Sequence, residues 1–203
     1  MNWQAPFYDW GCRAVGLGRN FRDVTLRHAA LSPDEQVLDV GCGTGVLTRL
    51  AAEAAGPSGH AVGIDPAPRM IGVARENAAR TDSRAEFKLA AIERLPFDDR
   101  SFDVVLSSMM LHHLPRDLKR DGLAEVYRVL KPGGRLVAID IDRPAYSLWW
   151  LLVWPLLLMP ATAANMRGEI PHYLRAAGFD PVQVKGRWVQ WLTFWTASKG
   201  DKS

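Results

Sequence analysis

The stretch Val37-Leu-Asp-Val-Gly-Cys-Gly-Thr-Gly45 decides the fold. Residues 36–40 form a short apolar run, and three glycines at alternate positions, Gly41, Gly43 and Gly45, follow it. An apolar run of that length stopping at glycine is the pattern of a buried strand. The glycines let the chain bend sharply and let another group approach the backbone without meeting a Cβ. Residues 46–55, rich in Ala and Leu and closed by Gly56-Pro57, then read as a helix. The stretch is therefore a strand, a bare bend and a helix start, whose first N–H groups have no partner within the helix.

Outward from this unit the pattern repeats. Further strands are expected at 60–65, 85–89, 102–107 and 135–140, with helices at 67–80 and 116–130, the latter ended by Lys131-Pro-Gly-Gly134. Strands that are apolar throughout and separated by helices mean a parallel sheet covered on both faces. Residues 170–177 read as a late helix capped by Gly178, and 182–189 and 192–198 as paired strands closing the sheet edge. Residues 7–31 read as helical, a cap ahead of the sheet. The expectation is one doubly wound α/β domain over 1–203, with a helical cap at 1–31 and an apolar insertion at 144–168.

Composition narrows the class. The chain has 203 residues, 48% apolar and 23% charged, enough for a substantial core. Its +3 net charge and pI near 9.0 come without a Lys/Arg block, so no nucleic-acid arm is read. Cys12 and Cys42 give neither metal-ligand spacing nor a disulfide framework. The N-terminal MNWQAPFYDWGCRAVG lacks the charged and apolar regions of a signal peptide, and a cytoplasmic setting is the expectation.

In doubly wound sheets, ligands bind beyond the carboxyl ends of the strands. The dinucleotide fingerprint G-x-G-x-x-G fails here, because the sixth position is Val46 counted from Gly41 and Thr48 counted from Gly43. An acid, Asp39, stands two residues before the first glycine, and a second, Asp65, ends the next strand. An acid at that second position can accept hydrogen bonds from both ribose hydroxyls. A carboxylate at Asp39 is awkward beside a pyrophosphate and suits a ligand carrying ammonium and sulfonium charge.

Together VLDVGCGTG, GIDPAPRM, ERLPFDDRSFDVV, LHHL and LKPGGRL resemble the class I S-adenosylmethionine-dependent methyltransferases. The likeness is to the small-molecule branch that includes quinone-biosynthesis and phospholipid enzymes. It implies a Rossmann-like, seven-stranded sheet, mostly parallel with an antiparallel C-terminal strand. It further implies S-adenosyl-L-methionine as cofactor, with S-adenosyl-L-homocysteine as product. Gly41, Cys42, Gly43, Thr44 and Gly45 are then expected beneath the methionine moiety and Asp39 near its amino end. Asp65 would hold the ribose, Pro66 and Met70 would flank the adenine, and Ser107 would be a further cofactor contact. Where the family often has Gly-Asp-Ala after the third strand, this chain has Ala90-Ala91-Ile92; the acid is missing, leaving Ala91 and the backbone of Ile92.

Such chemistry needs a nucleophile placed in line and water excluded. A base is needed where the nucleophile carries a proton, and no metal ligands are evident. His112, Asp140 and Tyr8 are the candidates. His113 reads as a residue shaping the cofactor pocket, Asp142 as a loop or capping acid, and Tyr8, beside Asp9, equally as cover or packing.

No charged residue occurs from 144 to 166, and residues 147–160, SLWWLLVWPLLLMP, hold Trp149, Trp150 and Trp154. Pro155 and Pro160 interrupt a continuous helix, and the strongly apolar part falls short of the ~20 residues that span a bilayer. The segment is read either as packing against the sheet or a second copy in a homodimer, or as a lid or interfacial helix at a membrane surface. The lid reading implies a small lipophilic acceptor, a phospholipid amine or a quinol-like ring. The contrasting reading is a non-catalytic cofactor-binding protein acting as a membrane or partner adaptor.

Overall fold

The computed structural model describes residues 18–146, 154 and 158–201. The elements are α1 (Arg19–Ala29), β1 (Gln36–Val40), α2 (Val46–Ala54), β2 (His60–Asp65), α3 (Pro68–Arg80), β3 (Glu86–Leu89) and β4 (Phe102–Ser108). After a short 3-10 turn (Leu111–His113) come α4 (Arg116–Val129), β5 (Leu130–Ile141), α5 (Pro160–Met166), α6 (Ile170–Ala176), β6 (Val182–Trp188) and β7 (Leu192–Ser198).

All seven strands join one sheet in the order β3-β2-β1-β4-β5-β7-β6. The first five run parallel, and β7 lies antiparallel to both β5 and β6. The expected fold class is what the chain adopts. The strand order reverses between β1 and β4, so a crevice opens above their carboxyl ends.

Side chains alternate across a strand. In β1 this sends Val37 into one apolar layer with Phe21, Leu47, Ile71 and Phe87, under α1, α2 and α3. Leu38 and Val40 go into the opposite layer with Leu123, Val126 and Leu174, under α4 and α6. Burying both faces explains why these strands are apolar at nearly every position.

Two elements differ from expectation. β5 begins at Leu130 and runs through Pro132-Gly133-Gly134, because Leu130 pairs with Phe102 across a register irregularity before Arg135 pairs with Val104. Within the apolar insertion, Pro160–Met166 forms a helix of its own that sets Thr162 and Asn165 in the interior. Residues 147–153 and 155–157, with Trp149 and Trp150, lie outside the described residues, as does most of the cap, with Tyr8 and Asp9. Of the cap, Arg19–Ala29 is helical.

Candidate active site

The bend after β1 is held from both sides. The amides of Gly41 and Cys42 donate to the carbonyl of Ile64 in β2, and Gly41, Gly43 and Gly45 all have positive φ. A Cβ at Gly45 would come within 2.6 Å of the Phe87 ring and 2.9 Å of Ala74. That glycine exists so that the helix can sit close to the sheet. At Gly43 a Cβ would meet nothing within 4 Å, so its bare face opens onto space.

Two cavities meet at that face, sharing Gly41, Gly43, Ser108 and Met109 in their walls. The larger, about 500 Å³, is lined by Asp65, Pro66, Met70, Ala91 and Ile92, with Met110, His113 and Leu114 opposite. The smaller, about 70 Å³, is lined by Asp39, Cys42 and Thr44, with Phe21 and Arg22 of α1 across from them. Met109 takes φ +57 at the junction, a strained conformation for a side chain of that size.

The electrostatics of the two ends differ. Asp39 is buried, and its carboxylate accepts a 2.7 Å hydrogen bond from the Thr48 hydroxyl. Burial pushes its carboxyl up to about 7, with Thr48 opposing and the Asp65 charge adding to the rise. Burial, with Asp39 and Asp65 nearby, also drives the Cys42 thiol far above its ordinary range, so it stays protonated. Asp65 is more open. One of its oxygens accepts the Ala67 amide at 2.9 Å and the other the Gly43 amide at 3.1 Å. Each carboxylate oxygen has a second lone pair, so the group is fixed in orientation with acceptor capacity in hand for a diol. Along these walls run, in order, a carboxylate and a guanidinium at Asp39 and Arg22, the oriented carboxylate of Asp65, and the apolar side chains of Met70, Ile92 and Leu114.

Beside this cleft lies a buried polar group. His112 Nδ1 donates to Asp140 Oδ1 at 2.8 Å, and the His112 amide donates to Asp140 Oδ2 at 3.3 Å. Asp140 Oδ1 also accepts the Ile141 amide at 2.7 Å and Asn165 Nδ2 at 3.2 Å. The His112 ring centre lies 3.9 Å from that of His113, the two planes tilted by 43°, and His113 lines the larger cavity; burial lowers the His113 proton affinity, with His112 adding and Asp140 opposing. Asp142 is engaged elsewhere, accepting from Thr193 Oγ1 at 2.7 Å and Arg187 at 3.5 Å.

Ser107 in β4 is buried, its hydroxyl without a hydrogen-bond partner among the described residues, and the next residue, Ser108, lines both cavities. Sequence reasoning also missed Glu93, which follows Ala90-Ala91-Ile92 and brings a carboxylate to the wall of the larger cavity. It missed Arg22 and Asn165 as well. Arg22 carried a signal, one turn-face of an N-terminal helix expected to cover the site; Asn165 carried none.

Comparison with known proteins agrees with this architecture. The family described as a methyltransferase domain matches residues 37–134. An arsenite methyltransferase of Halobacterium salinarum is 36% identical over 84% of this chain, which spans only 44% of that protein. A demethylmenaquinone methyltransferase of Listeria monocytogenes is 37% identical over 71% of this chain and 62% of its own length. The crystal structure of a Methanosarcina mazei S-adenosylmethionine-dependent methyltransferase superposes with a TM-score of 0.68, at 26% identity, covering 86% of this chain and 97% of that one. An uncharacterized methyltransferase of Synechocystis sp. is 32% identical over 83% of this chain and 78% of its own length. By that shared length, and by a glycine bend and paired acids in the places the motifs require, the chain belongs to the class I S-adenosylmethionine-dependent small-molecule methyltransferases.

Proposed function

We propose that the protein transfers a methyl group to a small apolar acceptor, with His112 as the base that takes the acceptor's proton. The observation that carries this reading is the His112–Asp140 pair, buried beside the cofactor cleft. Bound in the cleft, S-adenosylmethionine supplies an electrophilic methyl on a sulfonium. Asp65 would hold its sugar, Asp39 and Arg22 its charged end, and Gly43 would leave room for it to pass. With Nδ1–H given to Asp140, His112 keeps Nε2 as its proton-accepting nitrogen.

Three observations favour an apolar organic acceptor. Tyr146, Trp154, Leu158 and Met159 are exposed apolar side chains within the uncharged interval. The Listeria relative is named for a quinone precursor. A thiophilic substrate such as the arsenite named for the haloarchaeal relative calls for thiolates, and burial keeps Cys42 protonated.

The test is mass spectrometry of a lipid extract incubated with the chain and methyl-labelled cofactor. The expected result is label in a lipid-soluble product. His112→Gln should lower turnover by about 100-fold or more while cofactor affinity stays unchanged. Near-wild-type turnover of that variant would remove the base, and absence of any S-adenosylhomocysteine release would favour the adaptor reading.

A further inference from the structure

A buried cation close to the site, Lys119, is left unused by the mechanism. Lys119, on α4, is fully buried, and its Nζ donates to Asn165 Oδ1 and, at 3.5 Å, to the carbonyl of Ala161. It also sits 5.5 Å from the centre of the Tyr173 ring. Asn165, fully buried on α5, passes its amide on to Asp140. The chain of contacts therefore reads Lys119, Asn165, Asp140, His112, and joins α4, α5, β5 and the turn at the mouth of the cleft.

From this arrangement we infer that Lys119 and Asn165 are positioning residues that set the proton affinity of His112 through Asp140. This deepens the proposed function and rests on its reading of His112 as the base.

A carboxylate buried against an imidazole, with nothing else near, favours a second proton on the ring, because imidazolium and carboxylate then neutralise each other. A protonated ring is no base. A cation on the far side of the carboxylate offsets part of its charge and weakens its pull on a ring proton. Direct contact would make Lys119 and Asp140 an ordinary salt bridge. Instead an amide intervenes, sharing Asp140 Oδ1 with His112 while it holds the ammonium away from that oxygen. Its oxygen can accept only from the ammonium and its NH₂ can donate only to the carboxylate, so Lys119 fixes which way Asn165 points. Burial pulls the Lys119 ammonium below its usual range, with Asp140 and Glu169 opposing the fall and Arg116 adding to it.

The other groups around the chain do not replace this role. His113, on the same turn, sets its ring against that of His112 at a tilt, while α5 brings the uncharged Thr162 and Asn165, with Thr162 donating to the His112 carbonyl. Arg116 is tied to Glu169 at 2.8 Å, and Tyr173 donates to Glu169 at 3.2 Å. Asp142 is held by Thr193 and Arg187.

The test needs no acceptor. In the cofactor-free chain labelled with ¹⁵N-histidine, the His112 ring, assigned by its loss in His112→Gln, is titrated by NMR. Lys119→Met is expected to move its midpoint to higher pH by about one unit, a tenfold rise in proton affinity. Lys119→Arg should restore the wild-type midpoint. Asn165→Ala, which keeps the lysine and breaks the relay, should move it upward too and stands in where Lys119→Met does not fold. An unmoved midpoint in a folded Lys119→Met or Asn165→Ala variant would overturn the inference, as would an arginine variant that shifts as far as methionine. A shift in midpoint combined with unimpaired methyl transfer in His112→Gln would uphold the coupling and remove only the base.

Discussion

Asp39 shows how one residue trades stability for binding. Its carboxyl is held at about 7 by burial, against an ordinary value of 3.8. The folded state thus keeps a proton that the unfolded chain gives up, and stability falls as pH rises from about 4 to about 7, beyond which the contribution is fully lost. A difference of that size corresponds to roughly 4 kcal/mol. Asp39→Asn, still able to accept from Thr48, should flatten this slope and raise the melting temperature of the cofactor-free protein by several degrees above neutral pH, read by calorimetry. The same substitution should weaken S-adenosylmethionine binding, since a cationic ligand end favours the ionised carboxylate. In the wild type, affinity should fall below about pH 7, by at most about tenfold per unit, as Asp39 takes up its proton. An affinity independent of pH would mean that Asp39 does not face the ligand's charge. The type of residue at 39 was legible in the sequence, because an acid before a glycine bend has few bland roles; its depth of burial, and hence its titration, belongs to Thr48 and the covering helices.

At the scale of elements, the glycines of the bend divide into two jobs. Gly45 makes room for the packing of α2 against Phe87 and Ala74, whereas Gly43 faces the cleft. Gly45→Ala combines a left-handed backbone with overpacking and should cost about 3 kcal/mol, visible in denaturant unfolding. Gly43→Ala, with φ +53 but open space, should cost about 1 kcal/mol and instead lower cofactor affinity by about tenfold or more. Equal effects on folding and binding for the two variants would contradict this division. The strand and helix order could be read from apolar runs and Gly/Pro punctuation. Ser107 against Ser108 could not, because a one-residue choice of face depends on register, which the pairing of Ser107 with Val40 and Ala138 fixes. Nor could α5: an uncharged interval shows no contrast of polar and apolar faces, and Asn165 gains its meaning from Lys119, 46 residues away.

Over the whole molecule, a sheet buried on both faces brings the ends of β1, β2, β4 and β5 to one edge, where residues from Phe21 to Asn165 converge. The fold and the cofactor end were readable because local motifs carry them. The acceptor end was not, since it depends on distant segments packing together. Among the described residues no helix is long and apolar enough to cross a membrane. The exposed Trp154 and Leu158, 54% and 73% accessible, with the rest of the apolar stretch 147–160, lead to the expectation that the protein cosediments with anionic liposomes and is released by Trp154→Glu. Full recovery of the wild type in the supernatant would contradict it. The account as a whole turns on the cleft, and titration calorimetry of wild type and Asp65→Ala with S-adenosylhomocysteine and with NAD tests it most directly. It predicts saturable binding of S-adenosylhomocysteine that Asp65→Ala weakens at least about tenfold, through lost hydrogen bonds to a charged group, and no heat from NAD. Binding of NAD, or S-adenosylhomocysteine affinity indifferent to Asp65, would contradict it.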